Sequence, residues 1–457
     1  MGRSPIETPG PGPVETGPIL KRVIANAGML LGGRSVNALL GLGYMALGAR
    51  GLGVAQFGVL VLIHAFAQFL GDVVKFQSWQ TVLNYGARPL AEGRVADFQR
   101  VLRFTIMLDL ASSVMGVAMG VAGAFLFADD LGWQSAYAPA AAGYVVSVAF
   151  MVSAAPLGLL RLFDRFDIMA RQTALVSLVR LIGSAIAFAF DAPLWAYLLA
   201  WGLGPLAGFV YLVAGSWREL SRRGLLAGFS WRGPLTEGMP GIWRFAWATN
   251  MSATLEVAFT HLITLMMGAL LGPAQAGLWR VGAQIADAVA KPAKLLVPAL
   301  YPELARLRAE EGEGTMWRLA RQVGVLGGAV GLALLAVATA AGEPLLALIM
   351  GREFAAAADV MTWQVAAAVI GIFALPLEPM LVSLGKAGAT AWVRLAVSVL
   401  FLSALVPVVG RFGLIGAGAV VVGASVALGL GMGWILLRAP EAGDLRKKSL
   451  ADRGPDA

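Results

Sequence analysis

The nine residues LGVAQFGVL (52–60) recur in altered form as LGPAQAGLW (271–279). The two stretches share a leucine, an alanine, a glutamine and two glycines, and each shared residue is displaced by 219 positions. Alanine and glycine are common in apolar helices, so the match becomes informative only where the same register continues along the chain. If it does, the chain is built from two copies of one helical unit.

The register does continue beyond the quoted stretches. At the offset of 219, Phe98 corresponds to Trp317, and both lie in basic segments between apolar ones. At an offset of 220, Pro156-Leu157 corresponds to Pro376-Leu377. Chance similarity would lose its register over this length, so the sequence predicts an internal duplication.

The composition is that of a membrane protein. Hydrophobic residues make up 58% of the chain, charged residues only 14%, and the mean hydropathy is +0.75. Soluble domains contain about 25% charged residues. A helix that crosses a hydrocarbon core of about 30 Å needs about 20 mostly apolar residues, and it pairs its backbone groups internally. The composition therefore predicts an all-α integral membrane protein.

Twelve apolar windows predict twelve transmembrane helices. The windows are 23–49, 54–82, 103–127, 137–160, 172–190, 194–215, 242–270, 273–302, 321–342, 355–384, 388–409 and 413–437. The repeat offset spans six of these helices, an even number, so both copies enter the membrane in the same direction. The sequence thus predicts two six-helix lobes related by a pseudo-two-fold axis along the membrane normal.

The basic residues predict the orientation of these helices. Most of the 35 lysines and arginines lie in the tails and the even-numbered loops, whereas the odd-numbered loops contain only Arg50, Arg352 and Arg411. The positive-inside rule places both termini in the cytoplasm. The predicted segments are a disordered tail (1–22), an N-terminal lobe (23–215), a cytoplasmic linker (216–240), a C-terminal lobe (241–438) and a C-terminal tail (439–457).

The eighth predicted helix contains a charged stripe. Arg280, Asp287, Lys291 and Lys294 lie at i, i+7, i+11 and i+14, so with Gln284 they share one narrow face. Each charge at the centre of a membrane helix costs about 2.5–3.5 kcal/mol on insertion scales. We therefore expect this face to point into protein or water.

The second predicted helix carries a similar face, with Gln68, Asp72 and Lys75, and Lys75 corresponds to Lys294 at the repeat offset. Two further arginines, Arg34 and Arg180, lie inside predicted helices. We expect Arg34, Arg180 and Arg280 to line an aqueous cavity.

Helix one also carries Asn37, which corresponds to Glu256 of helix seven. Glu256 is either the counter-ion of an arginine or a site of proton or cation coupling.

Simpler interpretations of these charges remain open. Asp287 with Lys291, and Asp72 with Lys75, have the spacing of intrahelical ion pairs. Lys75 and Lys294 lie far along their helices and could extend to the cytoplasmic interface. His64 and His261 are expected to be packed polar side chains.

Several functional classes are disfavoured. The net charge of +8 is explained by orientation in the membrane, so no nucleic-acid partner is expected. The chain contains no cysteine and no P-loop motif, and no cofactor or metal site is expected. An integral-membrane polymerase or ligase would need a larger external loop, so we expect that the protein is not an enzyme.

The segment ALGARGLGVAQFGVLVLI (46–63) resembles the first helix junction of Wzx-type oligosaccharide flippases, which belong to the multidrug/oligosaccharidyl-lipid/polysaccharide exporter superfamily. Helix number, two lobes and cytoplasmic termini extend the resemblance over nearly the whole chain. It implies export of undecaprenyl-pyrophosphate-linked oligosaccharide across a bacterial inner membrane, for O-antigen, capsule or exopolysaccharide, including lipopolysaccharide. The partners it implies are this lipid-linked oligosaccharide, membrane lipids and other polysaccharide assembly proteins.

Related families fit less well. Drug-extruding MATE transporters remain the main alternative, although their cationic substrates suit fewer cavity cations. Lipid II flippases carry two extra helices, and the loop after helix two, YGARPLAEGRVADFQR (85–100), lacks the major-facilitator motif.

A pyrophosphate must lose water to cross the membrane, and arginine and lysine replace that water with charged donors. By this hypothesis the three arginines hold the anion at mid-membrane, while the lysines Lys75, Lys291 and Lys294 recruit it from the cytoplasm. The carboxylates Asp72, Glu256 and Asp287 balance the positive field.

Overall fold

The computed structural model describes the backbone of residues 16–294 and 313–438, and the side chains of residues 37–250, 261–290, 314–386 and 388–438. Within these ranges the secondary structure is helical, with no β-strand. The expectation of an all-α membrane protein is confirmed. Eight helical stretches among the described residues are long and apolar enough to cross a membrane, and a shorter apolar helix covers His261–Leu271.

The first eight helices form what we call the N-terminal half. They are α1 (Thr16–Val74), α2 (Ser78–Ala91), α3 (Val95–Leu126), α4 (Ala138–Val145), α5 (Val148–Met151), α6 (Ala154–Leu162), α7 (Phe166–Ala189) and α8 (Leu194–Arg222). The remaining helices form the C-terminal half. They are α9 (Ile242–Leu271), α10 (Pro273–Lys294), α11 (Glu313–Met350), α12 (Ala358–Ala374), α13 (Leu377–Ser383) and α14 (Ala387–Leu437).

The repeated stretch marks the same bend in both halves. Gly53 bends α1 with φ 67° and ψ 174°. Gly272 separates α9 from α10 with φ 88° and ψ 173°. A residue with a Cβ atom is strained in this region, which explains why both copies have glycine. The two positions are 219 residues apart, so the sequence repeat is also a repeat of backbone conformation.

A second pair of glycines continues this correspondence. Gly132 and Gly351, again 219 positions apart, have φ of 91° and 113°. Each is followed by a short 3₁₀ helix, Ser135–Tyr137 in the first half and Arg352–Ala357 in the second. The register read from the sequence therefore holds for turns as well as for apolar segments.

Three predicted spans are interrupted. The window 54–82 was expected to be one helix containing Lys75, but α1 ends at Val74 and α2 begins at Ser78, so Lys75 lies in the break. Tertiary packing explains the interruption, because Phe76 is buried and its ring packs edge-on against Trp247, with centroids 5.1 Å apart. The windows 137–160 and 355–384 are likewise divided into shorter helices.

The two copies of the repeated stretch contact each other. A Cβ atom at Gly58 would overlap the carbonyl oxygen of Pro273, and one at Gly277 would lie 3.2 Å from Cα of Gly58. Gly58 and Gly277 are themselves repeat-equivalent. Glycine at both positions therefore allows the backbones of α1 and α10 to touch where the halves meet.

Further contacts between the halves lie at the same end of the helices. The guanidinium of Arg50 donates to the carbonyl oxygens of Leu348 and Ile349, at the end of α11. The carboxylate of Glu353 accepts the backbone N–H of Val54 at 3.3 Å. These contacts, together with the glycine contact, close this end of the protein, which is opposite the basic loops.

The segment between α8 and α9 covers part of the N-terminal half. Gln99 donates to the carbonyl oxygens of Leu225 and Ala227 at 2.8 and 2.9 Å. Arg103 donates to three further carbonyl oxygens of this segment, those of Ser230, Arg232 and Pro234. The connection is therefore bound to α3 along several residues.

Candidate functional site

A cavity of about 290 Å³ lies inside the N-terminal half. Its lining combines polar, aromatic and charged side chains from α1 and α7 with residues of α5, of the break after α5 and of α8. They are Asn37, Tyr44, Gln68, Phe150, Met151, Ser153, Gln172, Thr173, Val176, Ser177, Arg180 and Pro205. This polar composition is unusual for the interior of a membrane helix bundle, where ionisable groups mark functional sites.

Arg180 is the charged group of this cavity and is only 7% exposed. Its Nε donates to the carbonyl oxygen of Trp201 at 3.1 Å. Its guanidinium lies 5.7 Å from the ring centroid of Tyr44, within the range of a cation–π contact. Among the described residues, the remaining guanidinium nitrogens donate to no protein acceptor, which leaves them for an anion. The expectation that Arg180 lines a cavity agrees with this placement.

Gly204 of α8 lies against the Arg180 side chain, and its lack of a Cβ atom leaves the space that this side chain occupies. A Cβ atom there would lie 2.9 Å from Nε and 3.0 Å from Cγ of Arg180. We expect Gly204→Ala to push the guanidinium from its place, at a cost of about 1–3 kcal/mol for overpacking. Transport should fall about tenfold. Gly202→Ala is the matched control on the same helix, since its new methyl would lie 3.6 Å from the Tyr144 ring; equal transport by the two variants would contradict the prediction.

His64 lies beside the cavity in an aromatic environment. Its Nδ1 is 2.7 Å from the hydroxyl of Tyr144, and its ring packs edge-on against Trp201 with centroids 5.1 Å apart. Arg180 and Arg280 both lie within electrostatic range of its imidazole. His64 is thus a packed polar residue, as expected.

A second cavity, of about 400 Å³, lies inside the C-terminal half. Arg280 and Asp287 of α10 both line it, so the predicted face of this helix does point into an internal space. Arg280 donates to Gln284 Oε1 at 3.2 Å. Gln364 of α12 also lines the cavity and donates to the carbonyl oxygen of Trp279.

The two cavities occupy equivalent places in the repeat. At the offset of 219, Tyr44 and Gln68 of the first cavity correspond to Ile263 and Asp287 of the second. The arginines do not correspond, since Arg180 lies on α7 and Arg280 on α10. Each half therefore presents one arginine in its cavity, but from different helices.

The acidic and basic residues of the second window are separated in space. Asp72 pairs with His261 of α9, with Oδ2 and Nε2 3.3 Å apart, and so joins the two halves. Among the described residues Lys75 makes no ion pair, so the intrahelical Asp72–Lys75 pair does not form. Lys75 acts electrostatically on Asp109 instead.

The structure does not describe the side chains of four predicted site residues. The side chains of Arg34, Glu256, Lys291 and Lys294 lie outside the described residues. Asn37, which was expected opposite Glu256, accepts a hydrogen bond from the Ser177 hydroxyl within the first cavity.

Sequence reasoning missed one buried carboxylate, Asp109 of α3. Its Oδ2 accepts the backbone N–H of Ala155 at 2.7 Å, so it caps the first turn of α6 after the break in the fourth window. The sequence could have revealed this buried carboxylate, because Asp109 is the single carboxylate within the apolar run TIMLDLASSV (105–114). Asp109 stabilises the interruption that shapes the rim of the first cavity.

These features define a class: a multi-pass helical membrane protein with a cavity in each half that an arginine lines. The chain matches the family described as "Polysaccharide biosynthesis protein" over residues 23–308, and it belongs to that family. Inner membrane protein YghQ of Escherichia coli (strain K12) is 32% identical over 344 residues, which are 75% of this chain and 96% of that protein.

Two solved structures share the fold. One is an inward-facing conformation of a multidrug resistance MATE family transporter of the MOP superfamily, with a TM-score of 0.71 and 15% identity over 93% of this chain and 99% of that chain. The other is the lipid II flippase MurJ in an inward closed conformation, with a TM-score of 0.71 and 10% identity over 90% and 88% of the two chains. The resemblance to Wzx-type flippases is confirmed at the level of family and fold, and the chain is a multi-pass membrane protein of a polysaccharide biosynthesis family.

Proposed function

We propose that the protein is a flippase that moves undecaprenyl-pyrophosphate-linked oligosaccharide from the cytoplasmic to the periplasmic leaflet, and that it is not an enzyme. The observation that carries the proposal is the presence of one arginine in each cavity, Arg180 in the first and Arg280 in the second. Arginine donates in a planar fork that suits the oxygens of a pyrophosphate. Membership of a polysaccharide biosynthesis family supports the choice of a lipid-linked sugar.

The architecture that we propose has twelve transmembrane helices in two six-helix lobes, with the domain boundaries given above and both termini in the cytoplasm. The end closed by Gly58, Gly277 and Arg50 is then periplasmic. A protein closed at that end can receive substrate from the cytoplasmic side. Transport by alternating access would separate the glycine contact and close the opposite end.

The same proposal assigns roles to the remaining predicted residues. Arg34 joins the two cavity arginines as an anion ligand, and Lys75, Lys291 and Lys294 attract the pyrophosphate. Asp72, Glu256 and Asp287 limit the positive field, and two observations support this role: Asp72 lies at the contact between the halves, 3.3 Å from His261, and Asp287 lines the second cavity with Arg280.

Membrane potential should drive this transport. An inside-negative potential favours outward movement of an anion by about 2.3 kcal/mol per charge per 100 mV. We expect export from proteoliposomes of a lipid-linked sugar to be faster at −100 mV than at zero potential, by up to about fiftyfold for one full charge. Equal rates would eliminate potential as the driving force, whereas no transport above protein-free liposomes would overturn the flippase assignment itself.

A MATE-like drug exporter is the second candidate, and the shared fold is the observation that favours it. Arg180 opposes it in the first cavity, because no carboxylate among the described lining residues balances this fixed cation, which repels a cationic drug. Drug resistance on overexpression that persists in Arg180→Ala and Arg280→Ala would support the exporter and exclude the flippase.

A further inference from the structure

A groove on the C-terminal half, about 400 Å³ in volume, lies outside both cavities. It runs between the start of α11 and the junction of α12 with α13. Its lining includes Trp317, Arg318, Arg321, Phe373, Pro376 and Leu377. Apolar surface is ordinary on a membrane protein, but two arginines and a tryptophan within one such groove are not.

The arginines of the groove are free to bind an anion. Arg318 and Arg321 are both exposed, and neither makes an ion pair with any described residue. No carboxylate lines the groove within the part of the chain that is described. The carboxylate of Glu378, next to the lining residue Leu377, is paired with Arg394. Within the described residues, the groove therefore carries two arginines and no protein counter-ion.

The position of the arginines matches the depth of a lipid head group. At about 1.5 Å per residue, Arg318 and Arg321 lie within about 12 Å of the first residue of α11. The polar layer on each face of a bilayer is about 5–8 Å thick, and long arginine side chains extend into it from about one helical turn deeper. Trp317, which is 37% exposed, is the residue type that is enriched at this level. Farther along the groove, Phe373 is 57% exposed and offers an apolar surface.

The corresponding surface of the N-terminal half is covered by protein. Phe98, the repeat equivalent of Trp317, is 1% exposed and packs in a cluster with Leu225. Gln99, the equivalent of Arg318, is hydrogen bonded to the segment that follows α8. One copy of this surface thus has a polypeptide cover and neutral side chains, whereas the other has arginines and an open groove.

We propose that this groove is a binding site for an anionic phospholipid of the surrounding membrane. The phosphodiester accepts hydrogen bonds from Arg318 and Arg321, and one acyl chain lies along Phe373, Pro376 and Leu377. Basic pockets between transmembrane helices on the cytoplasmic side recognise anionic head groups in this way. The site is separate from the transport cavities and does not depend on the proposed substrate.

Native mass spectrometry of the full chain, purified in detergent and titrated with phosphatidylglycerol or phosphatidylcholine, tests the site. We expect Arg318→Gln/Arg321→Gln to weaken binding of the first phosphatidylglycerol about thirtyfold, equivalent to about 2 kcal/mol. Phosphatidylcholine binding should be the same in both proteins. Arg171→Gln/Arg244→Gln removes two other exposed arginines and is the matched control; it should leave phosphatidylglycerol binding unchanged.

Three results would overturn the proposal. They are unchanged phosphatidylglycerol binding in the groove variant, an equal loss in the control variant, and equal affinity of the wild type for the two lipids. Arg318→Lys/Arg321→Lys distinguishes lost binding from misfolding, because it keeps the charge and should retain most of the affinity.

Discussion

Gly58→Val is expected to abolish transport by preventing closure of the outer end. The new side chain would overlap the carbonyl oxygen of Pro273, where the two copies of the repeat touch. Overpacking costs about 1–3 kcal/mol and occasionally more. That energy shifts the equilibrium between closed and open outer ends by about tenfold to a hundredfold. The variant should therefore accumulate with its outer end open.

The absence of cysteine from the sequence makes this shift measurable. A single reporter, Ala276→Cys, is placed at a position that is fully buried beside the glycine contact. A membrane-impermeant maleimide added from outside should label the reporter at least tenfold faster in the Gly58→Val background. Gly48→Ala is the control, since its methyl would lie 3.6 Å from the Phe57 ring. Normal transport by Gly58→Val with a protected reporter would refute the assignment of this contact.

Loss of either cavity arginine is expected to reduce transport by about tenfold to a hundredfold. A hydrogen bond to a charged group contributes about 1.5–3 kcal/mol, and each 1.4 kcal/mol is tenfold in affinity. The measurement is transport of a lipid-linked sugar by Arg180→Ala and Arg280→Ala in proteoliposomes. Arg171→Ala, an exposed arginine on the same helix as Arg180, should retain transport.

The double variant tests whether the two arginines bind the same group. If both contact one pyrophosphate, the loss in the double variant should be smaller than the product of the single losses. Arg180 also donates to the Trp201 carbonyl oxygen, so its replacement has a structural effect that must be separated. The Tm of each variant, measured by thermal unfolding, distinguishes the two effects. If transport by Arg180→Ala falls only in proportion to its Tm, Arg180 is not a ligand of the substrate.

Much of the fold could be predicted because hydrophobicity and a repeat register are local properties of a sequence. The offset of 219 residues led from Gly53 to Gly272, and the structure shows the same backbone conformation at both. Length and apolarity located the helices. They could not locate the interruptions at Lys75 and Val152, because apolar residues continue through both and the breaks depend on packing against other helices.

The site was predicted in part for a similar reason. The helical period placed Arg280 and Asp287 on one face, and both line the second cavity. The partners of these charges lie far along the chain, as the pairing of Asp72 with His261 illustrates. Helical spacing suggests only near neighbours, so it offered Lys75 as an alternative partner of Asp72 and could not suggest His261. Asp109 was missed because its partner is a backbone N–H that becomes free only at a helix break.

The contact between Gly58 and Gly277 also constrains how the chain matures. Gly58 is synthesised 219 residues before the glycine against which it packs. Through this interval the surface of the first half around Gly58 lacks the backbone of α10 that packs against it in the folded protein. The final seal is therefore a late step of biogenesis, and a ribosome stalled before α10 would leave a half-protein with this surface unoccupied.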